Sequence, residues 1–214
     1  MHHKPIPLRF REQMKGYVSF DPAAGFEQGY AAGKAANTAC SFAIEIEIAD
    51  IDAFVRDPNA QASARGHVDC PALGGRCQIE KGRFNLLVDV VHRRHRAKDM
   101  RYRLWFRTPD GRLFTLAGTK YVDDDGLLHM WRDTTKLFTK IYEGDVDRDG
   151  EDGARVVACG IIWLGILDFI KMIPSFSAKP AGLGALMRAQ LRFTGYFAKG
   201  LWQVYGPHFL QRAG

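Results

Sequence analysis

The stretch that decides the fold is MRYRLWFRTPDGRLFTLAGTKYV, residues 100–122. Its first part alternates apolar and cationic residues with a period of two, the pattern of a β-strand with one buried and one wet face. The TPDG sequence at 108–111 follows, and a Pro-Asp-Gly run favours a tight turn. A second strand-like run, RLFTLAGTKYV, completes the stretch. The pattern therefore predicts an antiparallel hairpin over Tyr102–Val122.

The same period of two dominates the first three quarters of the chain. In SFAIEIEIAD, residues 41–50, isoleucines alternate with Glu45 and Glu47. In LRFREQMKGYVSF, residues 8–20, the apolar residues mostly share one parity. We count roughly nine strands with hairpin-length connections, which predicts a mainly β protein, an antiparallel meander closed as a β-barrel or folded as a sandwich. The remaining strand candidates are Gly66–Leu73, Cys77–Val91, Leu137–Tyr142 and Arg155–Leu164.

Two segments interrupt this pattern, and a third replaces it. Gly25–Asn37 is rich in small residues and reads as a long loop or a short helix, and Asp50–Ala64 reads as a helical turn and loop. After Pro180 the apolar residues recur at three- and four-residue steps, which predicts an amphipathic helix over 183–205 that stops at Gly206-Pro207. The expected organisation is an antiparallel β domain over 1–180, with a C-terminal cationic helix over 181–214 packed on it or appended to it.

The charge of the chain is concentrated at this C-terminal end. The formal net charge is +6, and from residue 169 onward there are six Lys or Arg and no Asp or Glu. Arg188, Arg192 and Lys199 lie off the apolar stripe of the predicted helix. Two interpretations remain open, because the helix can dock on the β domain or lie on an anionic membrane surface.

The N-terminal residues and the cysteines indicate a cytoplasmic protein, with a peripheral position at the inner membrane as the second interpretation. MHHKPIPLRFREQMKGY lacks the apolar region of a secretory signal. The four cysteines then read as reduced thiols. We expect no metal site, since His67, Cys70 and Cys77 lack a fourth ligand. We also expect no nucleic-acid partner, since no recognised binding motif is present.

The candidate ligand site centres on WRDTTKLFTKI, residues 131–141. One interpretation is structural: Asp133 and the threonines after it bond nearby backbone amides and form a bulge. The functional interpretation places Asp133 inside the barrel, beside Trp131 and within reach of an inward-facing cation such as Lys120 or Arg103. The residues predicted to bind the ligand are Trp131, Asp133, Thr135, Lys120, Tyr102 and Arg103.

Several blocks of the sequence together resemble a known family. FREQMKGYVSF, VDCPALGG, EKGRFNLLVD, MRYRLWFRTPDG, WRDTTKLFTKIYEG and ACGIIWLGILDFI are similar to a bacterial domain found beside or fused to glucose-methanol-choline flavin oxidoreductases of the cholesterol oxidase type. The resemblance covers the chain from Phe10 to Tyr205. In that pattern DTTTL is usual, whereas this chain has Lys136 in the third threonine position. The flavin-binding motif belongs to the partner enzyme, so the resemblance implies a domain without a cofactor and carries over no catalytic residues.

The sequence thus favours an accessory domain that binds an apolar, lipid- or sterol-like ligand and partners a flavin-dependent alcohol oxidoreductase. One alternative is an enzyme in its own right, an isomerase or cyclase with Asp133, Lys120 and Tyr102 as acid–base groups. Another is a purely structural interaction domain.

Overall fold

Eight antiparallel strands form a closed barrel in a computed structural model of the chain. The structure describes residues 5–21, 23, 25–92, 95–122, 135–164 and 182–212. Each strand pairs with the next, and the first pairs again with the last. This confirms the predicted meander and decides for the barrel. The strands are β1 (Leu8–Ser19), β2 (Ala39–Ile48), β3 (Gln61–Cys70), β4 (Gly75–His92), β5 (His95–Arg107), β6 (Leu113–Val122), β7 (Lys136–Glu143) and β8 (Val156–Leu164).

Within the described residues, three α-helices and two 3₁₀ turns accompany these strands. The interruption at 25–37 is a helix, and it packs against β1 and β8 outside the barrel. Its Gly29 and Gly33 lie against backbone atoms of Cys159 and Val18, where a Cβ would clash. A helix rich in small residues can therefore approach the barrel closely. The helices are α1 (Gly25–Ala35), α2 (Ile51–Phe54) and α3 (Gly182–Arg212), and the 3₁₀ turns are Pro71–Leu73 and Arg148–Gly153.

The segment expected to be loop as far as Ala64 becomes a strand earlier. β3 already begins at Gln61, and Ala62 and Ala64 are buried in the barrel interior. Alanine has a low strand propensity, so the sequence signal here is weak. The bulky neighbour Phe84, which is paired with Ala62 on β4, explains why only a small residue fits at this inward position.

The seam between β1 and β8 closes the barrel and depends on glycine. Gly16 on β1 pairs with Ile162, and Gly160 on β8 pairs with Val18. A Cβ on Gly16 would clash with the carbonyl of Ile161, and one on Gly160 with the carbonyl of Tyr17. Both glycines let the sheet coil tightly enough to close.

Helix α3 covers one end of the barrel. The ring of Phe193 lies 5.5 Å from that of Phe10, a residue of the interior. The hydroxyl of Tyr196 donates a hydrogen bond of 3.3 Å to the carbonyl oxygen of Leu86. These contacts show the helix docked on the barrel through one face.

The predicted end of α3 at Gly206-Pro207 is wrong, because the helix continues to Arg212. Proline removes one backbone donor and strains the preceding turn, but the turns on either side keep their own hydrogen bonds. A proline is a frequent helix end, not an obligatory one.

Candidate functional site

A carboxylate lies inside the barrel on the first strand. Glu12 shares the inward parity of Phe10 and Met14 and is 5% exposed. An unpaired carboxylate in such an apolar interior would be strongly unfavourable. Its partners must therefore come from other strands that face the same space.

Those partners are Tyr102 on β5 and Lys120 on β6. The hydroxyl of Tyr102 donates to the Glu12 carboxylate, with distances of 3.1 Å to Oε1 and 3.0 Å to Oε2. Lys120 Nζ donates to Oε1 at 2.9 Å, and the Lys120 and Glu12 side chains are 3% and 4% exposed. Lys120 Nζ also lies 5.0 Å from the centre of the Tyr102 ring. We call these three residues the interior triad.

The surroundings of Tyr102 in the interior triad keep its hydroxyl protonated. Burial raises the pKa of Tyr102 well above its usual value, and the negative charge of Glu12 and its hydrogen bond raise it further. Tyr102 therefore stays a neutral phenol and a hydrogen-bond donor. A carboxylate, an ammonium and a phenol offer both acceptor and donor atoms to a small oxygen function.

Aromatic rings surround the triad and connect it to α3. The ring of Tyr102 lies 5.7 Å from that of Phe42 and 5.0 Å from that of Phe84. Phe84 in turn meets Phe10 edge to face at 6.3 Å, and Phe10 contacts Phe193 of the helix. Two rings, Phe84 and Phe10, thus lie between Tyr102 of the triad and Phe193 of α3.

The structure brings together only some of the residues predicted for the site. Tyr102 and Lys120 face inward and meet, and Thr135 is buried just before β7. Trp131 and Asp133 lie outside the described residues, so their predicted place in the interior stays a prediction.

The inward orientation predicted for Arg103 is wrong. It follows the inward-facing Tyr102 in a regular strand, so it must point outward. There its guanidinium donates to the carbonyl oxygen of Val146 at 2.8 Å and pairs with the carboxylate of Glu151. Arg103 therefore belongs to the outer surface of the barrel.

Glu12 is the residue that the sequence reasoning missed. Leu8, Phe10, Met14 and Val18 share one parity, and Glu12 occupies the one charged position in that series. A charge on the apolar parity of a strand is itself a signal of a buried ion pair. The same rule applies to Lys120 on β6, but it does not show that these two charges pair with each other.

The described residues give no support for a bound metal. No group of three or more His, Cys, Asp or Glu side chains in this part of the chain is arranged to hold an ion. All four cysteines are buried free thiols. In the same described part, no helix is both long and apolar enough to cross a membrane.

Comparisons with protein-family models, with curated proteins and with solved structures found no match to this chain.

We predict that Glu12→Leu destabilises the barrel by about 3–5 kcal/mol, because it leaves the ammonium of Lys120 buried without its carboxylate. The double variant Glu12→Leu/Lys120→Met should recover most of this loss, since both charges are then replaced by apolar side chains. Unfolding in urea measures both. Arg11→Ala, which breaks an exposed ion pair with Glu45, is the control and should cost less than about 1 kcal/mol. A single variant as stable as the double would contradict the pairing.

We also predict that stability falls as the pH rises above about 10, the usual pKa of tyrosine. There the unfolded chain loses the proton of Tyr102 while the folded protein keeps it, since the folded pKa is raised. The unfolded state then binds fewer protons, so the free energy of unfolding decreases with pH. Urea unfolding between neutral and alkaline pH should show a shallower decrease for Tyr102→Phe. If the free energy of unfolding changed with pH equally in the unaltered protein and in Tyr102→Phe, the raised pKa of Tyr102 would be contradicted.

Proposed function

We propose that the barrel binds one apolar ligand carrying a hydroxyl or carbonyl group, with that group at the interior triad. The observation that carries the proposal is the triad itself, a set of converging polar groups enclosed by aromatic and aliphatic side chains. Ligand sites typically combine an apolar lining with a few placed polar groups. Tyr102 and Lys120 supply donors to a ligand oxygen, and Glu12 supplies an acceptor for a ligand hydroxyl.

The ligand reaches the triad from the end covered by α3. An eight-stranded barrel is just wide enough to be filled by side chains or to hold one small ligand. In the present state Phe10 and Phe84 fill the space between α3 and Tyr102. Binding therefore includes an outward movement of α3 and rotation of these rings. The polar contacts that hold the helix include the Tyr196 hydrogen bond and the half-exposed Arg192–Asp52 ion pair.

The proposed partner is a glucose-methanol-choline oxidoreductase, because the sequence resembles domains associated with these enzymes. Such enzymes act on alcohols, and a triad suited to a hydroxyl group on an apolar body fits a ligand of that class. The barrel would then hold a lipid- or sterol-like alcohol and deliver it to the flavoenzyme. The domain needs no cofactor of its own for this role.

The triad also favours a second candidate, an isomerase or cyclase acting on the same kind of ligand. Glu12, Tyr102 and Lys120 are all proton-transferring groups, and Glu12 lies within hydrogen-bond distance of the other two. In that case Glu12 would be the base and Tyr102, held protonated, the acid. Chemical conversion of the bound ligand by the barrel alone distinguishes this enzyme from the carrier.

We predict that the protein binds cholesterol at least about tenfold more tightly than cholestane, its analogue without the hydroxyl, because a site with buried polar groups rejects a ligand that leaves them unpaired. Tyr102→Phe should weaken cholesterol binding and narrow this difference. The measurement is a binding titration, preceded by native mass spectrometry and extraction of any co-purified lipid.

The matched control is Tyr142→Phe. Tyr142 also donates to a carboxylate, that of Glu151 at 3.2 Å, but on the outer surface of the barrel. It should leave cholesterol binding unchanged. Equal binding of cholesterol and cholestane, or equal loss in both variants, would remove the triad from ligand recognition and leave a structural domain.

The outer face of α3 supports a further part of the proposal, a peripheral position at the inner face of the cytoplasmic membrane. Leu183, Met187 and Leu191 follow one another at four-residue steps and are 76%, 58% and 73% exposed. Arg188 and Lys199 flank this stripe, and the helix contains no acidic residue. An exposed apolar stripe beside cations is typical of a helix that lies in an anionic lipid interface.

We predict that the protein binds phosphatidylglycerol vesicles at low salt and releases them as salt is added. Arg188→Gln/Lys199→Gln should weaken binding by about thirtyfold, since each cation near such a surface contributes about 1 kcal/mol. Vesicle sedimentation measures the binding. The control Lys15→Gln/Lys34→Gln removes two exposed charges elsewhere and should change little. No binding by the unaltered protein would exclude the membrane position.

A further inference from the structure

A trough on the outer surface of the barrel has the features of a second ligand site. It has a volume of about 480 Å³ and runs along the outer face of β6, within the size range of small-molecule sites. Its floor is formed by Ala117 and Thr119. Tyr102 and Gly118 also border the trough. The Tyr102 side chain is buried, however, and its hydroxyl bonds to Glu12 inside the barrel, whereas Ala117 and Thr119 belong to the opposite face of the sheet.

The strand register explains the shape of this trough. Ala117 lies between Arg103 on β5 and Lys140 on β7, and Thr119 lies between Arg101 and Phe138. Two short side chains on the central strand are thus bordered by longer ones on both sides. The depression therefore results from short side chains on β6 between longer ones on β5 and β7.

The charges of the trough are unbalanced. Arg83 and Arg103 face each other directly across β4 and β5, an unfavourable arrangement for like charges. Together with Arg101, they are neutralised by neighbouring carboxylates. The ion pairs are Arg83–Asp147, Arg101–Asp99 and Arg103–Glu151.

Two further cations, Lys140 and Arg148, line the trough, and neither belongs to the ion pairs of 4.0 Å or less found among the described residues. The ammonium of Lys140 instead lies 5.6 Å from the centre of the Phe26 ring. Five cations line the trough, and their ion pairs involve three carboxylates, of which Asp99 and Glu151 line it and Asp147 lies beside it; two positive charges are left without an ion pair. A ligand with two negative charges would balance these two positive charges.

One end of the trough is aromatic. Tyr121 and Phe138 line it, with ring centres 5.2 Å apart. Their faces provide a contact for a flat apolar ring, beside cations suited to phosphate oxygens. We propose that this trough binds an aryl phosphate monoester, whose dianionic phosphate contacts Lys140 and Arg148 and whose ring packs on Phe138.

The test is a calorimetric titration of the full chain with phenyl phosphate at low salt. We expect saturable binding with a Kd of about 1 mM or tighter, a reasonable value for a ligand of this size. Phenol and inorganic phosphate should each bind more weakly, because each lacks one of the two contacts. Added salt should weaken the binding of phenyl phosphate.

Variants locate the binding. Lys140→Gln and Arg148→Gln should each raise the Kd about fivefold, the effect of one solvent-screened charge at about 4 Å. Ala117→Leu should abolish binding by filling the floor while keeping every charge. The matched control is Lys15→Gln, which removes an exposed lysine from the outer face of β1 and should leave the Kd unchanged.

Two results would overturn the proposal: no saturable binding by the unaltered protein, or Lys140→Gln and Arg148→Gln behaving like Lys15→Gln. Neither result affects the interior site, whose recognition of cholesterol depends on Tyr102. Failure of the trough and failure of the triad are therefore distinguishable in the same set of proteins.

Discussion

The pairing of β1 with both β2 and β8 is the constraint on which the rest of this structure depends. β1 pairs with β2 along one edge and, over Met14–Ser19, with β8 along the other, so the first and last strands meet and the sheet closes around an interior. Every inward side chain is then enclosed, whatever its chemistry. Glu12 lies on this same strand, so closure of the barrel is also what removes its carboxylate from water.

Enclosure makes the interior triad informative about function. A buried ion pair is often no more stabilising than apolar side chains of similar volume, because desolvation offsets the attraction between the charges. The aromatic residues around Tyr102 show that this interior accommodates apolar packing well. Stability alone thus gives little reason for a glutamate and a lysine here. The proposed role in ligand recognition would give one, since the same groups could exchange partners with a ligand oxygen.

The fold was readable from the sequence because its signals are local. Alternation along β2 and the hairpin of β5 and β6 follow from residues close together in the chain. The start of β3 was not readable, since Ala62 and Ala64 are buried by their contacts with Phe84 and Gly82 on β4 and have little strand propensity of their own.

The candidate site was only half readable for a related reason. Inward parity was enough to single out Tyr102 and Lys120, whereas the identity of their partner depends on which strands converge across the barrel. Glu12 is 108 residues from Lys120 in the chain, and no local pattern joins two such residues. Arg103 shows the opposite error, because its parity alone excluded it from the interior once Tyr102 was placed there. Neighbouring residues of a strand point to opposite faces, so placing Tyr102 inside was sufficient to place Arg103 outside.

Helix α3 connects the proposed interior site with the proposed membrane contact. Its inner face, through Phe193 and Tyr196, covers the barrel end above the triad. Its outer face carries Leu183, Met187 and Leu191 in solvent. A lipid surface that takes up the outer face competes with the barrel for the same helix, since side chains such as Phe193 can pack equally well in lipid. Membrane contact would then weaken the covering of the barrel end at the place where an apolar ligand is available. In this proposal, the two sets of contacts on one helix would link docking at the membrane with access to Tyr102 and Glu12.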